Sequence, residues 1–300
     1  LKDIVLYCKS YSRDFLRIKR LLASIEKYNV EEIPFYISTP KCDRQLLIDI
    51  LGNAGYQWVA DEDIASSNPK TDLKKYRLMP GGLSQQIIKS EFWRLKFSEN
   101  YLCIDSDGIF LKDFVRADFL TTGGIPYTVL HQNKDFFQLA TNLGYLKVER
   151  DLRTEAERVQ ALFGRVGPAF YCAPAPFIWS AKVWESLDRE CLTPRNISLW
   201  DFIAPEYPET LIYGEALLKY RAIPLIAIEP LFRTYHYDWQ YQLMKRLGET
   251  EEKLKQNYLG VIYQSAWDLD LAYGKSRKSF PSRMLKYLKQ FARKIQGYWP

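Results

Sequence analysis

The chain opens on "DIVLYCKSY", an apolar run that reads as a buried strand. "SRDFLRIKRLLASIEKYN" then places Phe15, Ile18, Leu21, Leu22 and Ile25 on one helical face, with Ser12 in position to cap it. "IPFYIST" reads as a second strand, "KCDRQLLIDILGNAG" as a helix stopped by glycines, and "YQWVADED" as a third strand. This β/α alternation predicts a parallel sheet covered by helices. A loop with Pro69, Pro80, Gly81 and Gly82 leads to "LSQQIIKSEFWRLKFSE", a helix that feeds directly into the strand "YLCIDSDGIF".

Beyond that strand the pattern loosens. "PYTVLHQ" reads as a strand, and "DFFQLATNLGYLKVERDLRTEAERVQALFG" as largely helical. "AFYCAPAPFIWS" is extended and proline-broken; "AKVWESLDREC" and "ETLIYGEALLKYRA" are helical; "IPLIAIEPLFRTYHYDW" is strand, break and loop. There is no internal repeat and no linker.

At 300 residues and 47% apolar content the chain is long enough for one large α/β domain with a full core. Its 21 Tyr, 16 Phe and 8 Trp suit an aromatic core first and stacking surfaces second. The 5 Cys are odd in number and form no CxxC pair, which reads as free thiols in a reducing compartment. No run of 18 apolar residues predicts a membrane span. Of the net charge of +6, eight basic residues and no acidic one fall from Lys275 onward, so the rest of the chain carries −2. That argues against a general nucleic-acid-binding surface and for a local function of the tail.

Three Asp-x-Asp strings occur: Asp61/Asp63, Asp105/Asp107 and Asp268/Asp270. Only Asp105/Asp107 follows an apolar strand. Ligands collect outside the carboxyl ends of strands in an open parallel sheet, and two carboxylates there suit Mg²⁺ or Mn²⁺. A haloacid-dehalogenase-like phosphatase would use Asp105 as nucleophile. It would open its domain on that aspartate and carry a second acidic cluster downstream; here 104 residues come first and no such cluster follows.

The segments "YCKSYSRDFLRIKRLLASI", "QQIIKSEFWRLKFSENYLCIDSDGIFLKDF", "APFIWSAKVWESL" and "PETLIYGEALL", in that order, resemble GT-A type glycosyltransferases. More narrowly they resemble a bacterial family associated with surface polysaccharide genes. The resemblance implies a GT-A-like, Rossmann-like α/β fold with a mainly parallel sheet flanked by helices. A catalytic domain would span 1–272, divided into a nucleotide-sugar-binding half (1–115) and a less regular acceptor half (116–272). It also implies a nucleotide-sugar donor, UDP-linked in the first instance, and Mn²⁺ or Mg²⁺. Asp107 would bind the metal, Asp105 the metal or the donor, and His236 in "FRTYHYDW" would be the third ligand, with Asp238 as the spare. Gln86, Lys89 and Arg94 would turn a polar helix face to the donor; Lys89 lies four residues after Gln85, hence on its face.

Acid–base work needs a carboxylate across the site. Glu209 and Glu215 are the candidates; Glu215, after Gly214, is expected at a helix start where the dipole favours its ionised form. Tyr11 after the first strand and Asp63 at the end of the third are expected at the base or ribose. Trp179 and Trp200 are candidate stacking faces for the base or the acceptor sugar.

The tail, 273–300, places Met284, Leu285, Leu288, Phe291, Ala292 and Ile295 on one face and mainly basic residues on the other. Such a helix reads as an interfacial anchor on anionic lipid. The expectation is a cytoplasmic enzyme, peripheral on the cytoplasmic face of the inner membrane, extending a glycan or lipid-linked glycan acceptor. The alternatives are the phosphatase and a glycan- or nucleotide-binding module without turnover.

Overall fold

The computed structural model describes residues 2–171 and 176–264, with the backbone of a short antiparallel pair at 269–270 and 275–276. The basic tail from residue 277 onward and Cys172 lie outside the described residues.

The first half follows the expected alternation. Strand β1 (Lys2–Lys9) leads to α1 (Phe15–Tyr28), β2 (Phe35–Thr39), α2 (Arg44–Leu51) and β3 (Gln57–Ala60). Three helices follow, α3 (Asp61–Ser66), α4 (Leu73–Leu78) and α5 (Gly81–Glu91), before β4 (Ser98–Cys103) and β5 (Gly108–Phe110). The second half runs β6 (Thr128–Val129), α6 (Lys134–Asn142), α7 (Leu146–Phe163), β7 (Phe177–Ser180), α8 (Ala181–Leu187), α9 (Leu199–Phe202) and α10 (Glu209–Tyr220). It closes with β8 (Ala227–Ile228), β9 (Phe232–Tyr235), α11 (Asp238–Arg246), α12 (Glu251–Leu254) and β10 (Gly260–Tyr263).

The main sheet has the order β3-β2-β1-β4-β7. Its first four strands are parallel and β7 is antiparallel to β4. Five successive residues of β1, Ile4 to Cys8, are buried, so both sheet faces are covered, as a parallel sheet requires. The apolar face of α1 is buried in full: Phe15, Ile18, Leu21, Leu22 and Ile25 all belong to the core. Aromatic rings fill much of that core; Tyr7 stacks on Phe92 with centroids 3.8 Å apart, and Tyr101 meets Trp179 edge-on at 5.7 Å.

Two expectations change. The long helical run after residue 134 is two helices, because Gly144 takes a left-handed conformation (φ +78) that ends α6. The strand "YLCIDSDGIF" is also two elements. β4 ends at Cys103, and β5 leaves the main sheet to pair with β10 in a second sheet ordered β5-β10-β9. That second sheet packs tightly: a Cβ on Gly260 would lie 2.3 Å from the Phe232 ring and 2.4 Å from the Ile109 carbonyl oxygen, so only glycine fits.

Candidate functional site

The strand order places a topological switch point between β1 and β4. From β1 the chain winds outward to β2 and β3, then returns to the other side of β1. In open α/β sheets ligands bind at such a point, outside the carboxyl ends of the strands. The β1 end supplies Lys9, Ser10 and Tyr11; the β4 end supplies the turn Asp105–Gly108, closed by a 3.0 Å hydrogen bond from Gly108 N–H to the Asp105 carbonyl. The two aspartates are anchored differently. Asp105 follows the main sheet, whereas the Asp107 carbonyl accepts from Tyr263 N–H of β10 at 3.1 Å.

Lys89, near the end of α5, is 5% exposed and its Nζ sits 2.5 Å from Asp105 Oδ1. Its carbonyl accepts from Tyr101 Oη at 3.1 Å, which fixes the helix against β4. Burial opposes the lysine's charge, but Asp105, Cys103 and Glu209 outweigh it and hold Lys89 protonated above its ordinary range. Glu209 opens α10 after Pro208, whose extended conformation sets the helix start. It is buried at 6% exposure, and burial pushes its carboxyl from 4.5 up to about 7. Lys89 and a backbone hydrogen bond pull the other way, while Asp105 adds to the rise. The result is a carboxylate poised near neutrality beside a buried cation and the aspartate turn.

A second cluster lines the same sheet edge and was not anticipated. Lys9 Nζ lies 3.3 Å from Asp61 Oδ2, with Asp61 fully buried at the end of β3. Burial lifts the Asp61 carboxyl to about 6, against the lowering effect of Lys9 and of the nearby Ser38 hydroxyl. Burial and then Asp61 raise the Tyr76 phenol. Tyr11 is half-buried beside this pair, its ring centroid 5.8 Å from Lys9 Nζ. Asp63, expected at the strand end, instead sits in α3, exposed and paired with Lys41 at 2.7 Å. The strand ends at Ala60, three residues earlier than the sequence pattern suggests, so Asp61 takes the strand-end position.

Other expected residues are placed as follows. Gln86 is half-buried on α5, with its buried Oε1 lacking a hydrogen-bond partner. Arg94 lies past α5 and is engaged by two carboxylates, Glu91 and Asp188, the latter at 2.9 Å. Glu91 is itself fully buried and accepts from Asn68 at 2.6 Å, a network that ties the helices together. Glu215 is in the middle of α10, not at its start, so the dipole argument does not apply to it. It is held bidentately by Arg165 at 2.6 and 2.7 Å. Trp179 and Trp200 are 1% and 5% exposed; both are core residues and offer no face to a ligand.

Two carboxylates are hard oxygen donors, and Mg²⁺ or Mn²⁺ commonly takes one or two such groups and fills its remaining positions with substrate phosphate and water. Asp105 and Asp107 fit that donor set. Among the described residues no three His, Cys, Asp or Glu side chains form a ligand cluster. His236 follows β9, and the register Asp107–Tyr263–Tyr235 puts β9 two strands away from the aspartate turn, roughly 10 Å at the usual strand spacing. The described residues thus show no three-ligand set that includes His236. Burial, with His131 and Arg233 adding to it, lowers His236 to about 4, so its imidazole is neutral at pH 7.

A family model described as "Family of unknown function (DUF6492)" matches residues 3–261. A search of curated proteins found no match. Among solved structures, an active-site mutant of LgtC aligns with TM-score 0.50 at 12% identity, covering 94% of this chain and 94% of that one. LgtC, a galactosyltransferase, in complex with donor and acceptor sugar analogues aligns with TM-score 0.47 at 14% identity, over 87% of each chain. The former likeness shows the fold, the mixed α/β GT-A-like arrangement expected from the sequence.

Proposed function

The chain belongs to the DUF6492 family, and we propose from the geometry of its site that it is a glycosyltransferase acting on a nucleotide-sugar. The observation that carries this reading is the convergence of Lys89, Asp105 and Glu209 at the switch point of the sheet. The fold shared with LgtC supports it. Asp105 and Asp107 would hold Mg²⁺ or Mn²⁺. When bound, that ion supplies a Lewis acid that neutralises the charge on a diphosphate leaving group.

The chain's own residues account for the remaining needs. Lys89 is a buried, permanently charged group beside Asp105, and an anionic diphosphate at this edge meets its charge in a low-dielectric setting. Tyr11, half-buried beside the buried Lys9–Asp61 pair, would meet the base or ribose on the β1–β3 side. Ionised Glu209 takes the proton of the acceptor hydroxyl as that oxygen bonds to the anomeric carbon and the bond to the diphosphate oxygen breaks. A single displacement of this kind inverts the anomeric centre. The basic tail of the sequence supports an acceptor carried at an anionic membrane surface, met from the cytoplasmic side.

The test is incubation with a panel of nucleotide-sugars, UDP-sugars first, in the presence of Mn²⁺. Slow release of nucleoside diphosphate that disappears in Asp107→Ala is expected. Turnover of a phosphomonoester through an aspartyl-phosphate on Asp105 would instead establish the phosphatase.

A further inference from the structure

A cavity of about 720 Å³ lies between the start of α6, the end of β9 and α11, lined among others by His131, Asn133, Phe136, Arg233, His236 and Gln240. Its size falls in the upper part of the roughly 300–1,000 Å³ range of ligand sites. A smaller cavity of about 270 Å³ shares Gln132 and Lys134 with it and continues past Arg153 and Gln160. The two are adjacent at Gln132 and Lys134, and the larger is the main groove. One end of it lies on the side of the candidate site: His236 directly follows Tyr235 of β9, two strands from the Asp107 turn in the sheet β5-β10-β9.

The lining is specific in character. Phe136 lines the cavity and is set against two nearly parallel rings that do not, Tyr237 at 6.1 Å and 4° and Trp239 at 6.1 Å and 15°. Tyr145 extends the set by stacking on Trp239 at 4.5 Å and 14°. Amide side chains stand beside these rings. Gln240, 3% exposed, is locked by accepting from His236 N–H at 2.9 Å, while Gln132 and Asn133 border the groove. The aromatic rings in the lining, Phe136, Phe170, Phe232 and Tyr258, together with these amide donors and acceptors match a sugar, whose ring has apolar faces and hydroxyl edges. Acidic and basic groups are mixed along the lining (Asp135 and Glu229 against Lys134 and Arg233), which does not suit a polyanion.

We propose that this groove binds the acceptor as an extended oligosaccharide of more than one sugar residue. Its terminal sugar would lie toward the Asp107 end, and the following residues would run along Phe136 toward Gln132 and Lys134. The proposal rests on the glycosyltransferase reading and adds the acceptor's class and direction.

The test is intrinsic tryptophan fluorescence titration with malto-, cello- and chito-oligosaccharides of increasing length, from monosaccharide to hexasaccharide. In at least one series Kd should fall by about tenfold or more between the mono- and the trisaccharide. Phe136→Ala and Gln132→Ala should each flatten that dependence while leaving donor hydrolysis without acceptor unchanged. No binding in any series, binding independent of length, or a length dependence untouched by both variants would overturn the proposal. The two readings fail separately. A wild-type protein that turns over no nucleotide-sugar yet keeps the length dependence loses the transferase reading and retains a glycan groove. Donor turnover with no length dependence removes the groove alone.

Discussion

Replacing Glu209 with Gln should stabilise the protein at pH 8 and leave its stability unchanged at pH 4. Burial raises the Glu209 carboxyl from 4.5 to about 7 in the folded chain. The folded state therefore holds this proton more tightly than the unfolded state does. Below about 4.5 both states are protonated and the residue costs nothing. As pH rises from 4.5 to 7 the unfolded chain ionises first, so stability is lost; above 7 both states are ionised and the loss is complete. At about 1.4 kcal/mol per pH unit, the full loss is about 3 kcal/mol. A glutamine side chain keeps the shape and has no such proton. Urea denaturation of both proteins at pH 4, 6 and 8 reads the difference. It should be near zero at pH 4 and approach about 3 kcal/mol in favour of the Glu209→Gln variant at pH 8. The same variant should lose sugar transfer, because stability is gained by removing the base. A difference independent of pH, or one that favours the wild type at pH 8, would refute the burial argument.

Other outcomes follow from the same geometry. Wild-type transfer should rise with pH and level off above about 7 as Glu209 ionises, read from initial rates across pH 5–9. Lys89→Met removes the charge beside Asp105 and should lower donor turnover by about a hundredfold or more, without rescue by Asp105→Asn. Arg165→Met strands the buried Glu215 carboxylate and should cost about 3–5 kcal/mol in chemical denaturation, most of it recovered when Glu215→Met is added. Gly260→Ala should cost about 1–3 kcal/mol, because its methyl meets Phe232 and the Ile109 carbonyl.

The elements of the first half were legible because each has a single strong period: the apolar run of β1, the five-residue face of α1 and the strand before Asp105 are local signals. Lys89 was legible for the same reason, as spacing on one helix fixes its face. What escaped depends on boundaries and on distant partners. Asp61 and Asp63 differ by two positions, and only the start of α3 decides which of them meets Lys9. Glu209 and Glu215 looked alike until Pro208 set the beginning of α10 and Arg165, fifty residues away, occupied Glu215. Arg94 read as part of a donor-facing helix face because Asp188, which engages it, is remote in sequence. Trp179 and Trp200 read as platforms because composition does not report burial. The sheet that joins β5 to β10 pairs residues about 150 positions apart, and no local pattern encodes that register.

If the edge formed by Lys89, Asp105 and Asp107 receives a nucleoside diphosphate, isothermal titration of the wild-type protein with UDP in the presence of Mn²⁺ will show it. Saturable binding is predicted, lost in Asp107→Ala and weakened about tenfold or more in Lys89→Met. No binding of UDP or any other nucleoside diphosphate, or binding that both variants leave intact, would contradict it.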